Sequence, residues 1–316
     1  MRTVLRRAAL AAALLALLTP FFLGSSTLKV QPAQAQGSSG PQKAPGYEDF
    51  TAYYQRTTGK DLPFYASALI DAGSGSALYY HQEATPVPTA SLVKMVTAGT
   101  VLAAPHDWYA PVSFTAAENN DLLRQYVGPR DSFSLLKLEP GEQVTFEQAF
   151  ASMLIGSANN AAAAMPRLTD MPRGDFVAAM RRTAERWGMR HTSIEEPSGL
   201  SLANISTALD LSRAACNLFS DFMASFYGSS PSVSFITSTG RKKTVFHTVY
   251  DLRTHPATYF GAKTGYLTET KFHVAAGIIT PQGHRLCVAV LISQTRAESE
   301  GALRALAAWA DRAYRW

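Results

Sequence analysis

Ser91 stands three residues before Lys94 in the apolar run PTASLVKMVTAGTVL, residues 88–102. Leu92, Met95, Val96, Gly99 and Leu102 recur at helical spacing, which predicts a buried helix opened by Pro88 and Thr89. On that helix Ser91 and Lys94 share a face, one turn apart. A lysine packed among Val, Met and Leu loses hydration, and this lowers its pKa towards neutrality. A neutral amine beside a hydroxyl can act as its base, so the pair is a candidate nucleophile and activator. A capping serine followed by a snorkelling lysine would give the same short pattern.

Two later segments carry related chemistry. Ser157-Ala158-Asn159 interrupts the small, apolar stretch MLIGSANNAAAAM with a hydroxyl and an amide, groups that need partners once buried. A helix terminus or turn would also account for them. Lys263-Thr264-Gly265, in YFGAKTGYLTETKF, sets a lysine and a threonine on an expected strand. Its glycine would let a ligand come close to the backbone. Taken alone, the lysine reads as edge-strand protection.

The elements needed to position these groups can be read from pattern. FYASALIDAGSGSALYYHQ predicts two strands around a turn at Gly73–Ser76. The segment after Leu135 starts extended, turns at Pro140-Gly141 and becomes helical after Thr145. Thr207 with Asp210 resembles a capping box opening another helix. YFGAKTGYL, FHVAAGIIT and RLCVAVLISQ read as strands, the last two joined by a turn at Pro281–His284. Leu303, Leu306, Ala307, Ala310 and Tyr314 lie on one face of a final helix. Strands at both ends with helices between them predict an α+β domain whose sheet gathers both termini.

The N-terminus predicts export. Arg2, Arg6 and Arg7 precede an Ala/Leu/Phe run, and Ala33-Gln34-Ala35 offers a small-x-small site before Gln36. Residues 1–35 are therefore expected to be a signal peptide, 36–46 a flexible linker and 47–316 the catalytic domain. The alternative is a retained membrane anchor, so membrane contact is expected only through this segment, if it is not cleaved. Of the net charge of +5, four charges belong to Arg2, Arg6, Arg7 and Lys29, and no acid lies in that region. The rest of the chain is nearly neutral, which gives no footing for a nucleic-acid-binding reading. Cys216 and Cys287, in helix-like and strand-like surroundings, are expected to be free buried thiols.

S-x-x-K, S-x-N and K-T-G, in that order, are the motif set of penicillin-binding proteins and serine β-lactamases. The chain most resembles the low-molecular-mass penicillin-binding proteins, the serine D-alanyl-D-alanine carboxypeptidases and endopeptidases. PSGLSLANISTALDLSRAA and KTGYLTETKFHVAAG add to the likeness, which runs from about Tyr65 to the C-terminus. It implies a β-lactamase/transpeptidase-like fold: an antiparallel sheet flanked by the terminal helices, plus an all-helical lobe. It further implies Ser91 as nucleophile, Lys94 as base with Asn159 and Lys263 tuning it, and Ser157 as proton relay. Lys263, Thr264 and Gly265 would receive the substrate, with the N–H groups of Ser91 and Tyr266 as oxyanion hole. Arg296 is a weaker carboxylate candidate, expected to be solvated. Peptidoglycan stem peptides and covalently bound β-lactams are the implied ligands, and no cofactor or metal is implied.

Some positions depart from that family. Ala158 replaces a common glycine, and Leu267-Thr268-Glu269-Thr270-Lys271 replaces the usual Thr-x-x-Ala-Gly. The C-terminal β-rich domain and anchor of many members do not follow the last helix, so any tether is expected at the N-terminus. A β-lactamase would need a glutamate to drive deacylation, and Glu195-Glu196-Pro197-Ser198-Gly199-Leu200 matches that segment only partly. A non-catalytic β-lactam sensor or cell-wall-binding module would have less reason to keep Ser91, Lys94 and Lys263.

Overall fold

Continuous apolar runs, buried on both faces, build the central sheet. The computed structural model describes residues 40–128 and 133–316; the expected signal peptide lies outside them. Five strands, β1 (Ala66–Asp71), β2 (Ala77–His81), β3 (Tyr259–Leu267), β4 (Lys271–Ile279) and β5 (Arg285–Ser293), form one antiparallel sheet. Their order is β3-β4-β5-β1-β2, so both ends of the chain meet at its centre and β3 lies at an edge. The main helices are α1 (Phe50–Thr58), α2 (Lys94–Ala103), α3 (Phe146–Ile155), α4 (Asn159–Leu168), α5 (Arg173–Arg186), α6 (Ala208–Leu218), α7 (Phe222–Gly228) and α8 (Arg296–Ala313). The fold is α+β, as expected.

The two faces of the sheet bury different residues because side chains alternate along a strand. Leu286, Val288 and Val290 of β5 pack with Phe50 of α1 and Leu303, Leu306 and Trp309 of α8. Burying each such side chain contributes about 1.5–3 kcal/mol. Cys287, Ala289 and Leu291 point the other way, into the core shared with α2 to α6. That face is lined with small residues, among them Ala66, Ala68, Ala275 and Ala289, and α6 meets it with Ala208, Ala214 and Ala215. Ser212 Oγ donates to Ala68 O at 2.9 Å across this contact.

Here one expectation fails. Cys216 and Cys287 are not free thiols but form a disulfide, Cα–Cα 5.5 Å, that joins α6 to the central strand β5. Cys216 lies on a helix and Cys287 on a strand, as their patterns predict, but Cys216 is only partly buried, and pattern alone could not show that the helix lies across that strand.

Local signals behave as their chemistry requires. Thr145 and Gln148 form a reciprocal capping box at α3, as do Thr295 and Glu298 at α8. The box expected at α6 is only half made. Thr207 accepts from Asp210 N, while the Asp210 carboxylate accepts from His191 N and Thr192 Oγ1. The chain is also engaged earlier than its linker-like composition suggests. Gln42–Lys43 pairs with Tyr314–Arg315, and Ala44 N donates to Ala313 O at 2.7 Å. Tyr314, expected on the last helix, belongs to that short strand. Among the described residues no helix is long and apolar enough to cross a membrane.

The disulfide closes a 71-residue separation. Replacing both cysteines by serine is expected to lower unfolding stability by about 2–4 kcal/mol. A guanidinium titration measures this, and an unchanged midpoint would show that packing alone holds α6 to the sheet.

Candidate active site

Ser91 sits in a 3-10 turn, Ala90–Val93, which runs into α2 at Lys94. The periodicity predicts α-helix there, but the chain first reverses at Ala90, whose φ is +48°. In a 3-10 turn the side chains at i and i+3 eclipse, so Ser91 and Lys94 stand directly over one another. Two glycines make room for the reversal. A Cβ on Gly199 would lie 2.0 Å from Ala90 O, and one on Gly265 would lie 3.0 Å from Ala90 Cβ. The close approach expected at Gly265 is thus made by the backbone that carries Ser91.

Lys94 is fully buried. Its Nζ lies 2.8 Å from Ser91 Oγ and 2.7 Å from Asn159 Oδ1, and it donates also to Ser198 O. Burial pulls its pKa down to about 7, opposed by the charge of Glu196. The two carbonyl oxygens can only accept. A neutral amine would therefore spend its two N–H groups on Asn159 and Ser198, leaving its lone pair facing the Ser91 hydroxyl. The sequence reading also credited Lys263 with lowering Lys94. Burial alone lowers Lys94, and the repulsion between the two amines acts instead on Lys263, which burial, Lys94 and Arg296 push well below the usual lysine range.

The second motif is held by its backbone. Ser157 follows the end of α3 in a left-handed conformation, φ +60°, a place more often taken by glycine or asparagine. Its Oγ accepts from Lys263 Nζ at 3.0 Å, and the same amine donates to Thr264 O at 2.8 Å. Asn159 opens α4, and its N and Nδ2 both donate to Ser134 O.

A cleft of about 400 Å³ opens over these groups. Ser91, Ser157, Asn159, Thr264 and Tyr266 line it, as do Leu200 and Phe133. Arg296 lines it too, rather than standing in solvent as expected. No carboxylate lines it among the described residues, while Arg296 makes it electropositive. It is built for an anionic ligand.

Glu196 is the other residue whose place the sequence did not reveal. It is buried, and its carboxylate accepts from the N–H groups of Ser198, Gly199, Leu200 and Ser201, from Ser198 Oγ and from Asn204 Nδ2. It fixes the loop that presents Ser198 O to Lys94. Glu195 is exposed and bonded to Ser201 Oγ.

The sequence profile of the D-alanyl-D-alanine carboxypeptidase family matches residues 57–295. The chain belongs to that family. It is 35% identical over 150 residues to a D-alanyl-D-alanine endopeptidase of Pseudomonas aeruginosa, a match covering 46% of this chain and 45% of the relative. It is 24% identical over 239 residues to the D-alanyl-D-alanine carboxypeptidase DacF of Bacillus subtilis, covering 75% of this chain and 59% of the relative. The chain thus spans about half the length of the curated relatives it matches. Its fold is that of the Streptomyces DD-transpeptidase, with a TM-score of 0.71 at 22% identity over 80% of this chain and 98% of the other. A D-alanyl-D-alanine carboxypeptidase from Mycobacterium tuberculosis superposes with a TM-score of 0.70 at 20% identity, over 86% and 96% of the two chains.

The left-handed turn at Ser157 gives a direct test. Ser157→Gly relieves the backbone, whereas Ser157→Ala keeps the strain and loses the hydroxyl. The glycine variant is expected to be more stable than the alanine variant by about 1 kcal/mol. Equal melting temperatures for the two would show that the turn is not strained.

Proposed function

We propose that the protein is a serine DD-peptidase that cleaves the D-Ala-D-Ala bond of peptidoglycan stem peptides through an acyl-enzyme on Ser91. The observation that carries this reading is the set of three partners around Lys94 Nζ, two of which can only accept. Neutral Lys94 takes the Ser91 proton as Oγ bonds to the carbonyl carbon of the penultimate D-alanine. The N–H groups of Ser91 and Tyr266 receive the oxyanion. As the C–N bond breaks, the Ser157 hydroxyl, held by Lys263, relays to the leaving amine the proton that Lys94 took from Ser91, so that Ser157 ends as a hydroxyl and Lys94 as a neutral amine. Water then cleaves the ester and restores the serine.

The electropositive end of the cleft suits a peptide that ends in a carboxylate. Lys263, Thr264 and Arg296 receive that group, and its arrival favours the charged form of the depressed Lys263. Penicillins present a carboxylate and a strained amide in the same relation, so they acylate Ser91 as well. Membership of the family and the likeness to its curated carboxypeptidases and endopeptidases support this activity. The substrate lies outside the cytoplasm, in keeping with the signal-like N-terminus.

The geometry disfavours the β-lactamase alternative. Glu196 gives both carboxylate oxygens to its own loop, Glu195 is exposed, and neither lines the cleft. Among the described residues no carboxylate lines the cleft to activate water on the penicilloyl ester, which keeps its ring bound, whereas the amine released from a peptide diffuses away.

A fluorescent penicillin is expected to give a gel-stable adduct on Ser91 that Ser91→Ala and Lys94→Ala both abolish. The same protein is expected to release D-alanine from a D-Ala-D-Ala peptide. Rapid penicillin turnover without a trapped adduct would contradict the reading, as would an adduct surviving in Ser91→Ala.

A further inference from the structure

Tyr266, Phe272 and Arg296 line the cleft, and from Arg296 a row of stacked side chains runs on outside it. The Arg296 guanidinium lies 4.2 Å from the centre of the Tyr250 ring and 5.7 Å from that of Phe272. Phe272 in turn meets Tyr266, ring centres 4.7 Å apart. On the outer side of Tyr250, Arg253 lies 4.4 Å from the same ring and 5.5 Å from Phe246. The row therefore runs Tyr266, Phe272, Arg296, Tyr250, Arg253, Phe246. It begins in the cleft beside Thr264 and ends on the hairpin of strands Ser232–Ile236 and Lys242–Phe246.

Both guanidiniums are held by main-chain carbonyls. Arg296 donates to Thr248 O, and Arg253 Nε donates to His247 O at 2.6 Å. Among the described residues neither forms an ion pair. The acids nearest in the chain are hydrogen-bonded elsewhere. Glu298 accepts from Thr295 N in the cap of α8. Asp251 binds Arg304, His255 and the Tyr259 hydroxyl, and Glu300, although it feels the charge of Arg296, accepts the N–H groups of Tyr250 and Asp251. Tyr266, Tyr250 and Phe246 remain 49%, 54% and 57% exposed. A guanidinium stacked on aromatic faces keeps its orientation, and its remaining N–H groups can take a carboxylate.

A single leaving D-alanine ends at its carboxylate, on Lys263, Thr264 and Arg296. It has nothing that could reach Arg253 or Phe246. We propose that the outer row binds the leaving-group side of a cross-linked substrate, in which the leaving amine belongs to a second, carboxylate-bearing stem peptide. The enzyme would then act chiefly as an endopeptidase on cross-links. This rests on the acyl-enzyme chemistry proposed above and adds no step to it. Ser91 Oγ bonds the D-alanyl carbonyl, the C–N bond to the second peptide breaks, and that peptide leaves as the protonated amine before water releases the first. The charge of the row and its extension from the leaving-group end of the cleft favour a peptide over a neutral sugar chain.

The test compares purified cross-linked muropeptide dimers with uncross-linked pentapeptide monomers, for the full-length protein and for Arg253→Gln and Phe246→Ala. Each substitution is expected to lower kcat/KM on dimers about tenfold, leaving pentapeptide cleavage and penicillin labelling unchanged. A loss of equal size on both substrates, or no loss on dimers in either variant, overturns the proposal while the acyl-enzyme reading stands. Inhibition of dimer cleavage by peptide-free glycan oligomers, but not by a free stem tetrapeptide, would assign the row to sugar and also overturn it. Wild-type protein that cleaves neither substrate overturns this inference and the proposed activity together.

Discussion

An ammonium group taken out of water without a carboxylate partner loses several kcal/mol of hydration, and Lys94 is placed under that constraint. Its neighbours are a hydroxyl, an amide oxygen and a main-chain carbonyl. They satisfy an amine without neutralising an ion, so the charged form is favoured only weakly over the neutral one. The rest of the site serves this arrangement. Glu196 holds the loop that offers Ser198 O, Ser134 holds the Asn159 side chain, and the 3-10 turn sets Ser91 over the amine.

The sheet and the helical lobe supply different parts of the site, and their junction is where the backbone departs from regular structure. Ala90, the first residue of the 3-10 turn, and Ser157, two residues before α4, both take positive φ. Gly265 of the edge strand and Gly199 of the 196–204 loop press against the Ala90 reversal from two sides. Such strain persists only where the surrounding packing over-determines it. Here the α6–sheet contact, with its small residues and its disulfide, supplies that rigidity.

How much of this was legible depended on whether the determinant was local. The strands around Gly73, the helix after Thr145 and the K-T-G strand follow from periodicity and turn residues near one another in the chain. Ser91, Lys94, Ser157, Asn159 and Lys263 were found because motif spacing encodes side-chain proximity, and the structure brings all five together. The Cys216–Cys287 bond, the inward position of Arg296 and the loop-folding role of Glu196 were not legible. Each depends on contacts between segments whose approach no short pattern records. Gln42–Lys43 reads as linker because its strand pairing is with the far end of the chain. The row from Tyr266 to Phe246 likewise draws on four separate segments.

The central claim is that Lys94 is poised to be neutral next to Ser91. Lysine labelled with 13C at Cε, assigned by comparison with Lys94→Arg, reports that amine directly as pH is varied. The account predicts a midpoint near the value of about 7 that burial imposes on Lys94, with the rate of Ser91 acylation rising through the same range as the amine loses its proton. A Lys94 signal that titrates only near the ordinary lysine range, above about 10, with acylation insensitive to pH around neutrality, would contradict it.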